Sequence, residues 1–132
     1  MKYIAIVAPL SLLPLAALSL AAPATAAPAK KPAAQNRCGW ISNPTPANWS
    51  LIDRDGEWTM GVQGGYQMPD SSFDRLPDHG RQWVRENTGS YGYGCGCLSV
   101  AVDRTAKRVT RVYSGRALPL AQCRTDKRLP KM

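Results

Sequence analysis

Cys95 and Cys97 stand one residue apart, and a Cys-x-Cys step has several chemistries open to it. Two thiolates on one side of a strand could hold Cu(I) or zinc, with Met60, Met68 or His79 completing a soft-metal site. Redox exchange would need a low-pKa thiol, yet no Cys-x-x-Cys opens a helix and no alternation of strands and helices surrounds the pair. Structural disulfides are the third reading, because Cys38, Cys95, Cys97 and Cys123 form an even set in a short chain. A bond between Cys95 and Cys97 would close a tiny strained ring, so Cys38 and Cys123 should each reach one of the two. Which reaches which is left open by the spacing.

Asp53, Asp55 and Glu57 form the second chemical cluster. The run lacks the further early ligand and the distal glutamate of an EF-hand, so it does not read as a calcium loop. Acid/base catalysis would require one of the three to be buried with a raised pKa, and a hairpin tip is normally wet. His79, the single histidine, sits in a polar loop beside Gly80 and reads as a solvated surface group. No nucleophile-elbow motif accompanies it.

Aromatic residues could do recognition instead. Four tryptophans, Trp40, Trp49, Trp58 and Trp83, accompany five tyrosines and one phenylalanine. Most indoles in a small disulfide-linked sheet belong to its core, but an exposed set would make a platform for sugar rings or a protein hot spot. Trp40, Trp49, Trp83, Tyr91, Tyr93 and Arg111 are the candidate binding residues. The chain carries 17 basic against 9 acidic residues, spread without a tight block, which suits an anionic surface or simply solubility. No aromatic-basic motif points to nucleic acid.

These residues need elements to hold them. The stretch 91–102, YGYGCGCLSVAV, is the strongest strand pattern. At period two one face is Tyr91, Tyr93, Cys95, Cys97, Ser99 and Ala101, and the other is Gly92, Gly94, Gly96, Leu98, Val100 and Val102. Neither face carries charge, so the strand should be covered on both sides. Glycine at alternate positions lets another group, such as a tryptophan or a ligand, approach the backbone. Asp55-Gly56 between two alternating runs predicts a hairpin, with Trp58, Met60 and Val62 facing Trp49 and Leu51.

Before that hairpin, Asn43-Pro44-Thr45-Pro46 reads as a turn-rich entry that cannot be a central strand. Residues 67–80 read as a long surface loop pinned by Phe73 and Leu76. Residues 82–85 make a short strand, 109–113 a strand antiparallel to the central one, and 117–123 one or two helical turns.

The beginning of the chain is read as processing information. Met1-Lys2, an apolar run over 3–22 and Ala24-Thr25-Ala26 match a secretory signal cut after Ala26. Pro9, Pro14 and Pro23 interrupt the run and argue against a retained membrane span. Cleavage there removes one lysine, leaving 16 basic residues against 9 acids and a mature charge of +7. Residues 27–36 read as a disordered lead-in, 37–126 as one domain, and 127–132 as a frayed tail.

Cys38-Gly39-Trp40, Asn43-Pro44-Thr45-Pro46, Asp53-Arg54-Asp55-Gly56-Glu57-Trp58, Gln63-Gly64-Gly65, the 91–98 stretch and Cys123-Arg124-Thr125-Asp126 together resemble an exported bacterial family of unknown function, number 4087. The resemblance implies a small exported bacterial domain and transfers no catalytic residue.

The sequence thus predicts a mainly β domain, with a small α+β form as the variant. It is a single antiparallel sheet or small barrel of about five strands, with one short C-terminal helix and two disulfides. A periplasmic or secreted monomer without cofactor is expected, binding an acidic envelope protein or an anionic glycan. The alternatives are a small hydrolase using Asp53, Asp55 and Glu57 or His79, and soft-metal binding through Cys95 and Cys97.

Overall fold

The computed structural model describes residues 32–132. The expected signal segment, 1–26, and the first half of the lead-in, 27–31, lie outside the described residues. Six strands form one sheet: β1 (Gln35–Thr45), β2 (Asn48–Asp53), β3 (Gly56–Gly61), β4 (Val84–Arg85), β5 (Gly92–Asp103) and β6 (Arg108–Leu118). Their order is β1-β2-β3-β6-β5-β4, and β1 also pairs with β5, so five strands close into a ring. The closure is antiparallel except at one parallel contact, Thr59 with Arg108, where the Thr59 N–H donates to the Lys107 carbonyl at 2.9 Å. This is a five-stranded, partly open barrel of the Greek-key kind, an architecture that by itself assigns no function.

The expected central strand is β5, buried along nearly all its length. Its Leu98 and Val100 join Ile41, Leu51, Trp58, Met60, Met68, Val109 and Val112 in the barrel interior. Its other face packs Tyr93 and Cys95 with Trp40 and Cys123 under the C-terminal helix α2 (Leu120–Thr125). Cys38 bonds Cys97, its direct partner in the β1–β5 register, and Cys95 bonds Cys123 of α2. Both ends of the domain are therefore stapled to the central strand.

Several boundaries differ from the sequence reading. Strand β1 begins at Gln35, inside the expected lead-in, and is itself central, flanked by β5 and β2. Pro44 is compatible with this because it lies in the register shift between Ser42 and Thr45, where the ladder asks for no N–H. The hairpin turns where expected, at Asp55-Gly56, with Gly56 at φ 112° and the Asp53 carboxylate accepting the Asp55 N–H at 2.8 Å. Trp58 meets Leu51, but Trp49 lies opposite Gly61, and Val62, beyond β3, is exposed.

The long loop contains a short helix α1 (Asp70–Phe73), whose Phe73 packs on the core together with Leu76. Residues 80–82 form a 3-10 turn, so the strand expected over 82–85 shortens to Val84 and Arg85. Ala117 and Leu118 belong to β6 and not to the helix. The tail is docked where fraying was expected, with Leu129 against the outer core and the Pro130 carbonyl accepting the Trp40 indole N–H at 2.9 Å.

Candidate functional site

Two concave regions collect the residues able to do chemistry. The first is a cleft of about 320 Å³ at the α1 end of the barrel. Its wall starts from Trp49, the second residue of β2, which the β1–β2 turn places. That turn is held by Asn43, whose amide nitrogen donates to the Thr45 and Asn48 carbonyls at 2.7 and 3.0 Å. Ala47 adopts φ 62° at the tip, and its carbonyl accepts the Gln67 amide at 3.0 Å. Trp83 stands 6.4 Å from Trp49, centroid to centroid, and its indole N–H donates to the Ser90 carbonyl at 2.9 Å.

His79 is the piece the sequence placed wrongly. It is 9% exposed and not a solvated surface group. Its ring lies 5.2 Å from that of Trp83 and fills the space over the glycine face of β5. A β-carbon at Gly94 would come within 2.3 Å of the ring, which is why that position carries none, whereas one at Gly96 would meet the Ile41 side chain at 2.8 Å and the Arg116 carbonyl at 3.0 Å. The group expected to use the glycine face was a tryptophan or a ligand; it is a histidine of the same chain. Burial pushes the His79 pKa below the ordinary value of 6.5, while the Pro77 and Cys95 carbonyls and the Asp78 carboxylate pull it back. Its Nε2 is buried without a hydrogen-bond partner among the described residues.

The cleft floor is apolar, made by Ile41, Leu76 and Pro77 between the indoles, and Asp78 and Ser90 stand among its lining residues. No lysine or arginine lines it. Its charge is one carboxylate beside a histidine whose neutral form is favoured.

The second region is a recess of about 400 Å³ formed by the start of β1, the β2–β3 turn, the β5–β6 turn and the C-terminal segment. Arg37 is buried beneath it, paired with Asp53, which is equally buried, and with Asp55 at 3.1 Å. Asp53 also accepts the Trp58 indole N–H at 3.0 Å. The Arg37 guanidinium lies 4.0 Å from the centre of the Trp58 ring, with the Lys107 ammonium 4.4 Å from it. At the rim Arg128 pairs with Asp126 at 2.9 Å, and together with Arg54 holds the Asp126 carboxyl down at a pKa of about 2. Arg54 makes no hydrogen bond among the described residues, and Arg104 makes one contact of 3.4 Å, to the Gln35 amide oxygen.

The candidate residues therefore separate. Trp49 and Trp83 come together in the cleft. Trp40 and Tyr93 are buried against each other, with ring centres 5.3 Å apart, and offer no platform. Tyr91 is half-buried and Arg111 exposed on β6, and neither lines the cleft or the recess. Asp53 is buried but committed to Arg37, whereas Asp55 and Glu57 are exposed. All four cysteines are in disulfides, which removes the thiolates that a Cys95 and Cys97 metal site needs. Met60 and Met68 are core residues, and no cluster of metal-ligating side chains occurs among the described residues.

The sequence singled out neither Arg37 nor Arg54, nor Asn43, Asp78 and Ser90 as cleft residues. The one available signal was the glycine face, which announced that something lay against it.

A family model described as a protein of unknown function, DUF4087, matches residues 32–130. No curated protein and no solved structure is significantly similar to the chain.

Proposed function

The chain belongs to the DUF4087 family of proteins of unknown function, and we propose that it is an exported, non-enzymatic domain that binds an anionic envelope glycan. The observation that carries this reading is the recess. Three carboxylates there, Asp53, Asp55 and Asp126, are paired with Arg37 and Arg128, which leaves Arg54 without an ion pair or hydrogen bond among the described residues and Arg104 with one 3.4 Å contact to Gln35, on two separate turns. Guanidinium forks suit carboxylate, sulfate and phosphate groups, and a repeating anionic polymer can present one such group after another. A formal charge of +7 after the expected cleavage, 16 basic residues against 9 acids, adds a favourable long-range field.

Binding is favoured over hydrolysis by the commitments of the titratable groups. Asp53 is locked to Arg37, and the His79 Nε2 faces the sheet, so neither is placed to move a proton on a substrate. An acidic protein partner is the second reading, favoured by exposed arginines such as Arg75, Arg81, Arg85 and Arg111 outside the recess. Export is supported by two disulfides, and among the described residues no helix is long and apolar enough to cross a membrane.

The experiment is titration of the folded domain with uronic-acid oligosaccharides at low and near-physiological salt, with capture from envelope extract in parallel. Binding that weakens with salt and falls about tenfold in an Arg54→Gln, Arg104→Gln double variant supports the glycan. Capture of one acidic protein, with no oligosaccharide binding, favours the second reading. Unchanged binding by the double variant removes both the recess and this function.

A further inference from the structure

We propose that the aromatic cleft is a second and separate binding site, for one uncharged pyranose ring. The recess argument does not enter it, because the two regions share no lining residue.

Three features define the occupant. The cleft offers flat apolar surface, two indoles over Ile41, Leu76 and Pro77. The C–H face of a pyranose is the complementary flat, weakly polarised surface, and it gains dispersion and weak C–H contacts against indole. The residues lining the cleft also carry polar atoms that no protein group engages among the described residues. The Trp49 indole N–H and the Ser90 hydroxyl have no partner among the described residues. Asp78 uses one carboxylate oxygen to accept the Gly80 N–H at 2.8 Å, and its other oxygen is open. A donor, a hydroxyl and an acceptor around an apolar floor match a ring whose hydroxyls both donate and accept.

Charge narrows the choice further. With one carboxylate and no cation in the lining, an anionic ring meets repulsion and no ion pair. A quaternary ammonium would be drawn to the indoles and Asp78, but it has no acceptor for the Trp49 N–H. A plain aromatic ring would leave all three polar groups unbonded.

The site is also held in place before a ligand arrives. Trp83 is fixed by its bond to Ser90 and by His79, which is wedged on the glycine face, and Trp49 packs 6.1 Å from Phe73. Fixed aromatic walls lower the ordering cost of binding.

The test is ligand-observed NMR and calorimetry of the folded domain with neutral hexoses and N-acetylhexosamines and their short oligomers, with choline as the contrasting probe. The expected result is saccharide binding that shifts the Trp49 indole N–H resonance and varies less than twofold between low and high salt. Trp83→Ala should weaken it at least tenfold and Asp78→Asn several-fold. Asp78 and Ser90 are exposed, so Asp78→Asn and Ser90→Ala test the idea even if the tryptophan variant fails to fold. The Arg54→Gln, Arg104→Gln variant should bind the saccharide like the parent. Choline binding in place of saccharide, loss of saccharide binding in the arginine variant, or no shift at Trp49 with any saccharide overturns the proposal.

Discussion

The cleft and the recess lie on one small barrel and are built by opposite means. The recess is organised by charge: a buried Arg37 and Asp53 pair under a rim of turns, with Trp58 linking it to the core. The cleft is organised by shape, with an uncharged form of His79 favoured against bare glycine backbone, the Trp83 indole propped on it, Trp49 packed on Phe73, and a turn held by an amide. Buried charge fails when one partner is lost, whereas shape fails when volume is added. The two regions should therefore break under different substitutions, and their ligands should answer differently to salt.

The largest expected effect is at the floor of the recess. Asp53→Ala leaves Arg37 buried beside an exposed Asp55 and strips the acceptor from the Trp58 indole, a loss of about 3 to 5 kcal/mol. Denaturant unfolding should show the whole domain weakened, because Trp58 is a core residue. A cost below about 1 kcal/mol would mean that the pair is not what organises this region. Next comes Cys95→Ala with Cys123→Ala, which opens a loop of sequence separation 28 and should cost about 3.5 kcal/mol by chain entropy. Neither Cys95 nor Cys123 lines the cleft or the recess, so the folded fraction should keep both affinities. Selective loss of one of them would show that α2 props that site.

Gly94→Ala is smaller and more selective. Its added carbon would stand 2.3 Å from the His79 ring, and relief by displacement costs about 1 to 3 kcal/mol. The expected outcome is loss of saccharide binding with uronic-acid binding intact. If crystallography of the variant finds His79 unmoved, the wedge account of the cleft is wrong.

This contrast also explains what could be read from the chain alone. The hairpin at Gly56, the doubly covered β5 and the tie from each end to Cys95 or Cys97 follow from local patterns of turn chemistry, alternation and cysteine count. Strand β1 was hidden because Pro44 argues against pairing, and only the bulge, a tertiary feature, makes it harmless. His79 was hidden for a similar reason. Its neighbours Asp78 and Gly80 are polar and loop-like, and what buries it is Gly94, fifteen residues on. Arg37 and Asp53 are sixteen residues apart on strands that the β1–β2 register brings together. Local propensity was legible, and the long-range fit of one segment to another was not.

The smallest predicted effect separates the regions by pH. His79 has its folded pKa pushed below 6.5 by burial, so the unfolded chain takes up its proton first as pH falls. Stability should decline from about pH 6.5 down through the lowered folded value and then level off. Asp126 runs the other way: its folded pKa of about 2 lies below the ordinary 3.8, so its contribution is present above that value and lost as pH falls toward 2. Below about pH 6.5 the cleft should respond first, while Asp126 at the rim of the recess stays ionised until the pH nears 2. Saccharide binding is then expected to weaken as pH falls through the lowered folded value of His79, because a charged imidazolium on the glycine face loosens the wall that holds Trp83, and uronic-acid binding should stay level. NMR titration of the imidazole checks the cause directly. A folded midpoint at or above 6.5, or an equal loss of both affinities, would show that the two regions do not titrate as separate sites, and His79→Gln should flatten the saccharide profile if they do.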